Sequence, residues 1–451
     1  MKLPTIPPTL PTVGRTLDNE RFSIVLAHSR PVDPKGRYLH WDEMLRRTPP
    51  ADLTHEEWWL ATKYARMVIS KQLPLRTTGG IHPTYANTDE IQERVHKLDQ
   101  HASGQLAADE VVTNLRSSDR YLVSSLVEEA ITSSQLEGAS TTRREAKEML
   151  ASGRRPRTKD EQMIANNFRA MVFAQELAES HDLTVEAVLD LHRIVTENTL
   201  DDPADAGRLQ DDDAKRIAVW WHEEQKGTET LVHRPPPVAE LPQRLEQMVA
   251  FANGATPDGF LHPVVRAIVL HYWLAYDHPF VDGNGRTARA LFYWCMLRNG
   301  YWLAQYLSIS SILKKAPSKY ARSYLKVSSD DNDVTYFIDY QLTVIERSMT
   351  SLSAYLARKM KETKEITDLL HGSNDLNLRQ IGILGDALRD SGEQFTITPQ
   401  SRRYKVTYET ARSDLMGLEE LGLLERTKRG KKYVFLPVHD LAPKLRQIGK
   451  K

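Results

Sequence analysis

The sequence predicts a mainly α-helical protein with one small β-hairpin in its central part and a C-terminal domain of short helices and a two-stranded ribbon. Three observations predict this fold class. Apolar residues recur at helical spacing through most of residues 38–360. Two short apolar runs flank a polar, glycine-containing turn at about 217–233. After Lys361 three helical segments precede two β-rich runs around the turn KRGKK, an order typical of a winged helix.

Composition limits the kind of protein this can be. The 451 residues include 60 Lys and Arg and 60 Asp and Glu, so the formal net charge is zero. This balance argues against a chain that coats a polyanion along its whole length. The single cysteine, Cys295, excludes an intrachain disulfide and fits a reducing compartment. The sequence contains no run of 18 apolar residues that would predict a membrane span, and its N-terminus lacks the apolar core of a signal peptide. We therefore expect a soluble cytoplasmic protein.

The N-terminal region, residues 1–110, is expected to be helical after an extended arm. Residues 1–20 are rich in Pro and Thr and predict the arm. Residues 38–69 predict two helices joined at Pro49-Pro50, and the Gly and Pro content of 73–88 predicts a loop.

The central core, residues 111–360, contains the most regular helical patterns. A helix is predicted at about 119–139, followed by a basic loop at 152–160. Further helices are predicted at 160–180, 184–199, 240–253 and 262–277. The hairpin at about 217–233 interrupts this series, and a lone hairpin needs a body to pack on.

The C-terminal domain, residues 361–451, is predicted to be a winged helix. Short helices are expected at 379–389, 399–404 and 407–421, with a β segment at 394–398 and the ribbon at 423–436. Basic residues cluster on it, but five acids interrupt them. DNA binding and protein interaction therefore both stay open for this domain.

The most informative stretch is HPFVDGNGRTAR, residues 278–289, which lies between two apolar helices. Gly283 and Gly285 allow backbone N–H groups to approach a ligand closely. The following helix begins near Arg286, and a helix N-terminus favours an anion such as phosphate. Arg286 and Arg289 oppose the helix dipole, a conflict that a bound polyphosphate would relieve.

Two further residues of this stretch predict its chemistry. His278 is a candidate general base, since its unperturbed pKa lies near neutrality. Asp282 is a hard oxygen ligand that, with phosphates, suits one Mg²⁺. A turn of Asp, Gly and Asn between helices is also an ordinary connection, and many histidines only fill a core. The complete set of residues nevertheless favours phosphoryl or nucleotidyl transfer.

The stretch resembles the signature HxFx[D/E]GNGRxxR of the Fic family at every fixed position. The resemblance implies a Fic-type helical core with a hairpin flap, and transfer of AMP from ATP to a Ser, Thr or Tyr hydroxyl of a protein. It implies that His278 deprotonates the target and Asp282 holds Mg²⁺. The residues implied to bind the nucleotide phosphates are Gly283, Asn284, Gly285, Arg286 and, at the γ-phosphate, Arg289. The resemblance also implies that Phe280 anchors the loop and that the flap clamps the target segment by strand addition.

A second pattern, Ser133 to Gly138, resembles the family's inhibitory sequence [S/T]xxxE[G/N]. The resemblance implies that Glu137 pairs with Arg289 and blocks the γ-phosphate, with Ser133 and Gly138 completing the pattern. The residues alone also permit a plain surface helix with Gly138 as its C-cap. On the adenine side, Tyr320 resembles the aromatic residue near the base, although packing against a helix explains it equally well.

The favoured function is therefore Mg²⁺-dependent AMP transfer restrained by Glu137, with ATP and a hydroxyl-bearing protein as partners and self-modification as one outcome. Two alternatives stay open: removal of AMP from a modified protein in the same site, and an ATP-sensing DNA-binding regulator. The intact His278 argues against a pure sensor, because sensing needs the phosphate cradle and no base. The target protein and a homodimer are left open.

Overall fold

The computed structural model describes residues 3–102, 115–216, 219–223, 228–371, 376–389, 393–429 and 432–448. It contains two compact units, Met1–Leu352 and Ser353–Lys451. The division into three domains at 110 and 360 stays a prediction. The mainly α-helical fold class is confirmed, since helices account for most of the described residues.

Helices build the first unit. They are α1 (Leu10–Gly14), α2 (Asn19–Ala27), α3 (Trp41–Met44), α4 (His55–Ile69), α5 (Asp89–Ala102), α6 (Leu115–Leu136), α7 (Arg143–Ser152), α8 (Lys159–Ser180), α9 (Val185–Thr196), α10 (Leu241–Ala252), α11 (Pro263–Asp277), α12 (Asn284–Arg298), α13 (Ile309–Lys315), α14 (Pro317–Ser329) and the first part of α15 (Thr335–His371).

Two antiparallel hairpins accompany these helices. Strand β1 (Ser70–Gln72) pairs with β2 (Thr84–Ala86). Strand β3 (Val219–Glu223) pairs with β4 (Thr228–His233), with a register shift between Val219 and Trp220. The second pair is the predicted hairpin at 217–233, of which residues 217, 218 and 224–227 lie outside the described residues.

The N-terminal arm and the loop at 73–88 are corrected by the structure. The extended arm predicted at 1–20 is wrong in its second half, because α1 forms there and α2 begins at Asn19, with the Asp18 side chain accepting from the N–H of Arg21 at 2.7 Å. Val13 and Val25 are buried in a cluster with Trp41 and Trp59. The loop contains β2, whose pairing with β1 comes from tertiary contacts that local composition does not show.

Two consecutive helices joined by a short loop form the centre of the first unit. α11 and α12 are buried along nearly their whole length, and their buried side chains are mostly apolar but include the polar Asn284, Arg286 and Arg289 at the start of α12. Trp273, Trp294 and Phe280 are among the largest fully buried side chains. The loop between these helices, residues 278–283, is therefore anchored at both ends in the core.

The second unit has its own core. After the end of α15 come α16 (Leu378–Arg389), α17 (Ile397–Tyr404), α18 (Tyr408–Glu420), β5 (Leu424–Arg429), β6 (Lys432–Pro437) and α19 (Leu441–Ile448). Helices precede an antiparallel ribbon, as the sequence predicts. The β segment expected at 394–398 is wrong, because only Phe395 bridges to Phe435 and α17 begins at Ile397. The winged-helix assignment itself stays a prediction.

Within the described ranges, no helix has both the length and the apolar character needed to cross a bilayer.

Candidate active site

The loop 278–283 turns between two buried helices through left-handed backbone. α11 ends at Asp277, and His278 after it adopts φ 46° and ψ 54°. Gly283 has φ +82° and precedes the first residue of α12. A Cβ on Gly283 would lie 2.7 Å from Cγ2 of Thr196, so both the backbone angle and the close approach require glycine. The turn thereby places His278 beside the N-terminus of α12.

His278 is held in a state that suits a proton acceptor. Burial is the largest cause that lowers its pKa to about 4, with Arg216 and His233 acting in the same direction and Glu137 and Asp282 acting against it. The ring is therefore neutral at physiological pH. Its Nδ1 lies 3.2 Å from Nδ2 of Asn284. The Asn284 amide is itself oriented, since Oδ1 accepts from the N–H of Phe280 at 3.0 Å and Nδ2 donates to the Phe280 carbonyl at 2.8 Å.

Phe280 is fully buried and stacks on His192, with ring centroids 3.7 Å apart and planes 5° apart. His192 Nδ1 accepts from the N–H of Gly207 at 3.0 Å, so Nε2 donates to the carbonyl of Asp282 at 2.9 Å. Sequence analysis did not select His192, because a lone histidine on a helix carries no spacing signal. The structure shows that His192 holds the loop in place through its contacts with Phe280 and with the carbonyl of Asp282.

Asp282 projects toward solvent from this braced loop. Its side chain is 52% exposed, Oδ1 accepts from the N–H of Gly283 at 2.5 Å, and Oδ2 lies 3.3 Å from Nη2 of Arg286. No cluster of three or more His, Cys, Asp or Glu suited to a metal occurs among the described residues. A single accessible carboxylate fits Mg²⁺ that is held largely by substrate phosphates.

Arg286 lies on the first turn of α12 with its side chain completely buried. Nη1 donates to the carbonyl of Val195 at 3.2 Å, and Nη2 contacts Asp282. Nε donates to no atom of the part of the chain that the structure describes. A buried guanidinium with a donor to spare favours an anionic ligand.

Arg289, one turn further along α12, faces α6. Nε donates to Oγ of Ser133 at 2.8 Å, and Nη2 donates to the Ser133 carbonyl at 3.0 Å. Nη2 also lies 2.8 Å from Oε1 of Glu137. Burial alone would lower the pKa of Arg289, but the Glu137 carboxylate raises it above its usual value. The structure thus brings together the arginine and the carboxylate that the two sequence patterns supply.

Glu137 reaches this position because α6 ends there in a Schellman motif. The N–H of Ala139 donates to the Ser134 carbonyl at 3.1 Å, and that of Gly138 donates to Gln135 at 3.3 Å. Gly138 has φ +96°. A Cβ on Gly285 would lie 3.0 Å from Cδ of Glu137. The carboxylate therefore covers the N-terminal turn of α12, where a phosphate would be favoured.

Tyr320 lies on α14 with its hydroxyl turned into the protein. The hydroxyl lies 2.9 Å from Nε2 of His271 and 3.1 Å from the hydroxyl of Tyr324. Its ring packs near Phe337 and Tyr340. These contacts account for the position of this partly buried side chain, and the adenine contact stays a prediction.

Comparison with known proteins shows what the part of the chain that carries this site is similar to. Residues 182–296 match the Fic/DOC family. Protein adenylyltransferase Fic of Drosophila melanogaster is 31% identical over 173 residues, which cover 38% of this chain and 30% of that protein. Protein adenylyltransferase fic-1 of Caenorhabditis elegans is 33% identical over 128 residues, 28% of this chain and 22% of the relative. The matched part spans less than a third of either relative.

A solved structure shares the fold. A Fic family protein from Desulfovibrio desulfuricans G20 superposes with a TM-score of 0.51 at 18% identity, covering 79% of this chain and 98% of the other. The similarity in fold therefore extends well beyond the segment matched by sequence.

Proposed function

We propose that this chain, whose residues 182–296 match the Fic/DOC family, transfers AMP from ATP to a hydroxyl group of a protein side chain. The relatives named protein adenylyltransferase support this reaction class. The observation that carries the proposal is the neutral imidazole of His278 beside a helix N-terminus that holds two buried arginines.

In the proposed reaction the imidazole of His278 accepts the proton of the target hydroxyl. The hydroxyl oxygen bonds to the α-phosphorus of ATP, and the bond from that phosphorus to the oxygen bridging to the β-phosphate breaks. Pyrophosphate leaves with the electron pair of the broken bond. A pKa of about 4 makes a weak base, but bound phosphates add negative charge next to the ring and raise its pKa.

The phosphates are proposed to lie over the first turn of α12. Backbone N–H groups of Asn284 and Gly285 lack helical partners at the start of the helix and are proposed to bind the phosphates. That of Gly283 is proposed to join them by exchanging its bond to Oδ1 of Asp282. Arg286 supplies a buried charge, and Arg289 reaches the γ-phosphate once it leaves Glu137. Tyr320 is proposed for the adenine side.

Asp282 is proposed to hold Mg²⁺ together with the phosphates. The ion would neutralise phosphate charge and orient the chain of phosphates. The carboxylate is half-exposed and lies at the loop's outer edge, which suits an ion that arrives with the nucleotide.

Glu137 is proposed to restrain the reaction. In the structure its carboxylate binds Nη2 of Arg289 and fills the space next to Gly285. A γ-phosphate would need both this donor and this space. A nucleotide with an intact triphosphate must displace it or bind in a different pose. Ser133 shares the same guanidinium and holds it toward α6.

The second unit is proposed to serve in choosing a partner rather than in the chemistry, because no motif residue lies in it. On its exposed surface Arg412 contacts Glu409 and Arg426 contacts Glu419. These ion pairs reduce the positive charge that is available to bind DNA phosphates. DNA binding and a homodimer both stay predictions.

The test is incubation of the Glu137→Gly protein with ATP labelled in the α-phosphate, in cell lysate and alone. The proposal expects label on protein, including this chain, and none with label in the γ-phosphate. A parallel incubation with a protein that already carries AMP separates the reverse reaction. Loss of AMP from that protein without any addition would instead establish a hydrolase, and binding of ATP without either reaction would favour the sensor.

A further inference from the structure

The main chain around His278 is held by an uninterrupted set of hydrogen bonds from one segment, residues 210–233. Five consecutive carbonyls, those of residues 276–280, each accept from this segment. The bonds are His233 Nε2 to Tyr276 O (2.7 Å), Arg216 Nη2 to Asp277 O (2.7 Å), Arg216 Nη1 to His278 O (3.2 Å), Gln210 N to Pro279 O (2.9 Å) and Gln210 Nε2 to Phe280 O (2.7 Å).

These donors meet two needs of the local structure. Two of the five carbonyls, those of Tyr276 and Asp277, are the last ones of α11 and have no partner within the helix. His278 also carries a Cβ in left-handed backbone, which is disfavoured for any residue but glycine. Backbone of this kind persists where its surroundings hold it, and such residues cluster at functional sites.

Two side chains do most of this holding. Arg216 bonds two successive carbonyls, and its Nη1 also donates to Oε1 of Gln210 at 3.1 Å. Gln210 is buried and binds the next two carbonyls through its backbone and its side chain. Arg216 lies three residues before β3, so the same guanidinium links the entry to the hairpin with the turn that carries His278.

We infer that Gln210 and Arg216 are positioning residues that hold the imidazole of His278 in its reactive orientation and connect it to the β3–β4 hairpin. This inference rests on the proposed function of His278. Their hydrogen bonds go to the carbonyls of residues 277–280 and not to the first turn of α12, so we expect both to affect the proton-accepting step and to leave nucleotide binding unchanged.

The test uses the Glu137→Gly protein as parent and compares Arg216→Met, Gln210→Met and Lys215→Met. Lys215 is the exposed neighbour of Arg216 and serves as the matched control. We expect kcat for AMP transfer to fall about 10- to 100-fold in the first two variants, as for a misplaced catalytic group. The Kd for a non-hydrolysable ATP analogue, from calorimetry, should stay within about twofold of the parent. Lys215→Met should match the parent in both.

A second readout requires no activity. The titration of the His278 imidazole is followed by NMR and assigned with His278→Gln. Arg216 and His233 lower its pKa, whereas Glu137 and Asp282 raise it. Since the parent already lacks Glu137, Arg216→Met changes one of the remaining three groups, and the pKa should rise, whereas Lys215→Met should leave it in place.

The two readouts separate the failure of this inference from failure of the proposed function. A parent without AMP transfer refutes the proposed function and leaves the NMR comparison to decide the inference. A folded Arg216→Met or Gln210→Met protein with the kcat of the parent would overturn the inference. An equal loss of kcat in Lys215→Met, or an unmoved His278 titration in Arg216→Met, would overturn it too.

Discussion

Replacement of Glu137 by glycine tests the proposed restraint most sharply. The carboxylate makes a charge-assisted hydrogen bond of 2.8 Å to Arg289, whose side chain is 2% exposed, whereas that of Glu137 is 31% exposed. Such bonds contribute about 1.5–3 kcal/mol when well shielded. Solvent screening at the Glu137 side reduces this to about 1–2 kcal/mol, which corresponds to roughly 5- to 30-fold.

We therefore expect Glu137→Gly to raise kcat/KM for AMP transfer by about 5- to 30-fold. Initial rates with labelled ATP measure the gain, and calorimetry measures ATP affinity in parallel. The substitution lies beyond the last residue of α6, so its cost to the helix is small. Glu137→Gln, which keeps the volume and removes the charge, should show part of the gain.

The matched control for Glu137→Gln is Glu128→Gln on the same helix, which removes a charge without placing glycine inside α6. Glu128 pairs with Arg143 at 2.6 Å, away from Arg289, and its loss should not raise the rate. An unchanged or lower rate in a Glu137→Gly protein that still binds ATP would refute the restraint. It would leave the segment with a capping role or a role in removing AMP.

Further predictions follow from the same contacts. His278→Ala should lower AMP transfer by about 10²–10⁴-fold while calorimetry shows ATP still bound; equal rates would remove His278 as the base. Arg289→Ala should gain no activity in the same rate assay, and its combination with Glu137→Gly should behave like Arg289→Ala; a fast double variant would contradict a γ-phosphate role for the arginine. Asp282→Asn should raise the Mg²⁺ concentration needed for half-maximal rate, which a Mg²⁺ titration measures, and an unchanged requirement would place the ion elsewhere. Burial lowers the pKa of His192 and of His278 to about 4 from an ordinary 6.5, so the unfolded chain binds more protons than the folded protein between these pH values. The free energy of unfolding should therefore fall as the pH drops from about 6.5 toward 4. Urea titrations at several pH values check this, and the part of the pH dependence that is due to His192 should disappear in His192→Gln.

The features that sequence analysis predicted best are local ones. The structure of the stretch 278–289 depends on residues that are neighbours in the chain: two glycines, a flanking helix on each side and a histidine at the turn. Apolar periodicity likewise located α8 to α11 to within a few residues. These elements follow from the conformational preferences of neighbouring residues and from the 3.6-residue period at which apolar side chains recur on the buried face of a helix.

The features that it missed depend on contacts between distant segments. The N-terminal helices form because Val13 and Val25 find a tryptophan cluster, which the Pro- and Thr-rich composition does not show. Arg289 and Glu137 are 152 residues apart, so only the family resemblance suggested their pairing. His192, Gln210 and Arg216 lie in no motif, and their roles become visible only when the fold brings them to the carbonyls of the loop.

The most direct test of AMP transfer is mass spectrometry of the purified Glu137→Gly protein after incubation with ATP and Mg²⁺, with the Glu137→Gly, His278→Ala double variant alongside. The account predicts an added AMP group on a Ser, Thr or Tyr of the first protein and none on the second, with a purified hydroxyl-bearing target giving the same pattern once one is found. AMP on both proteins would contradict the role of His278. Absence of AMP from both, in protein that binds ATP and in lysate that supplies candidate targets, would contradict the proposed reaction.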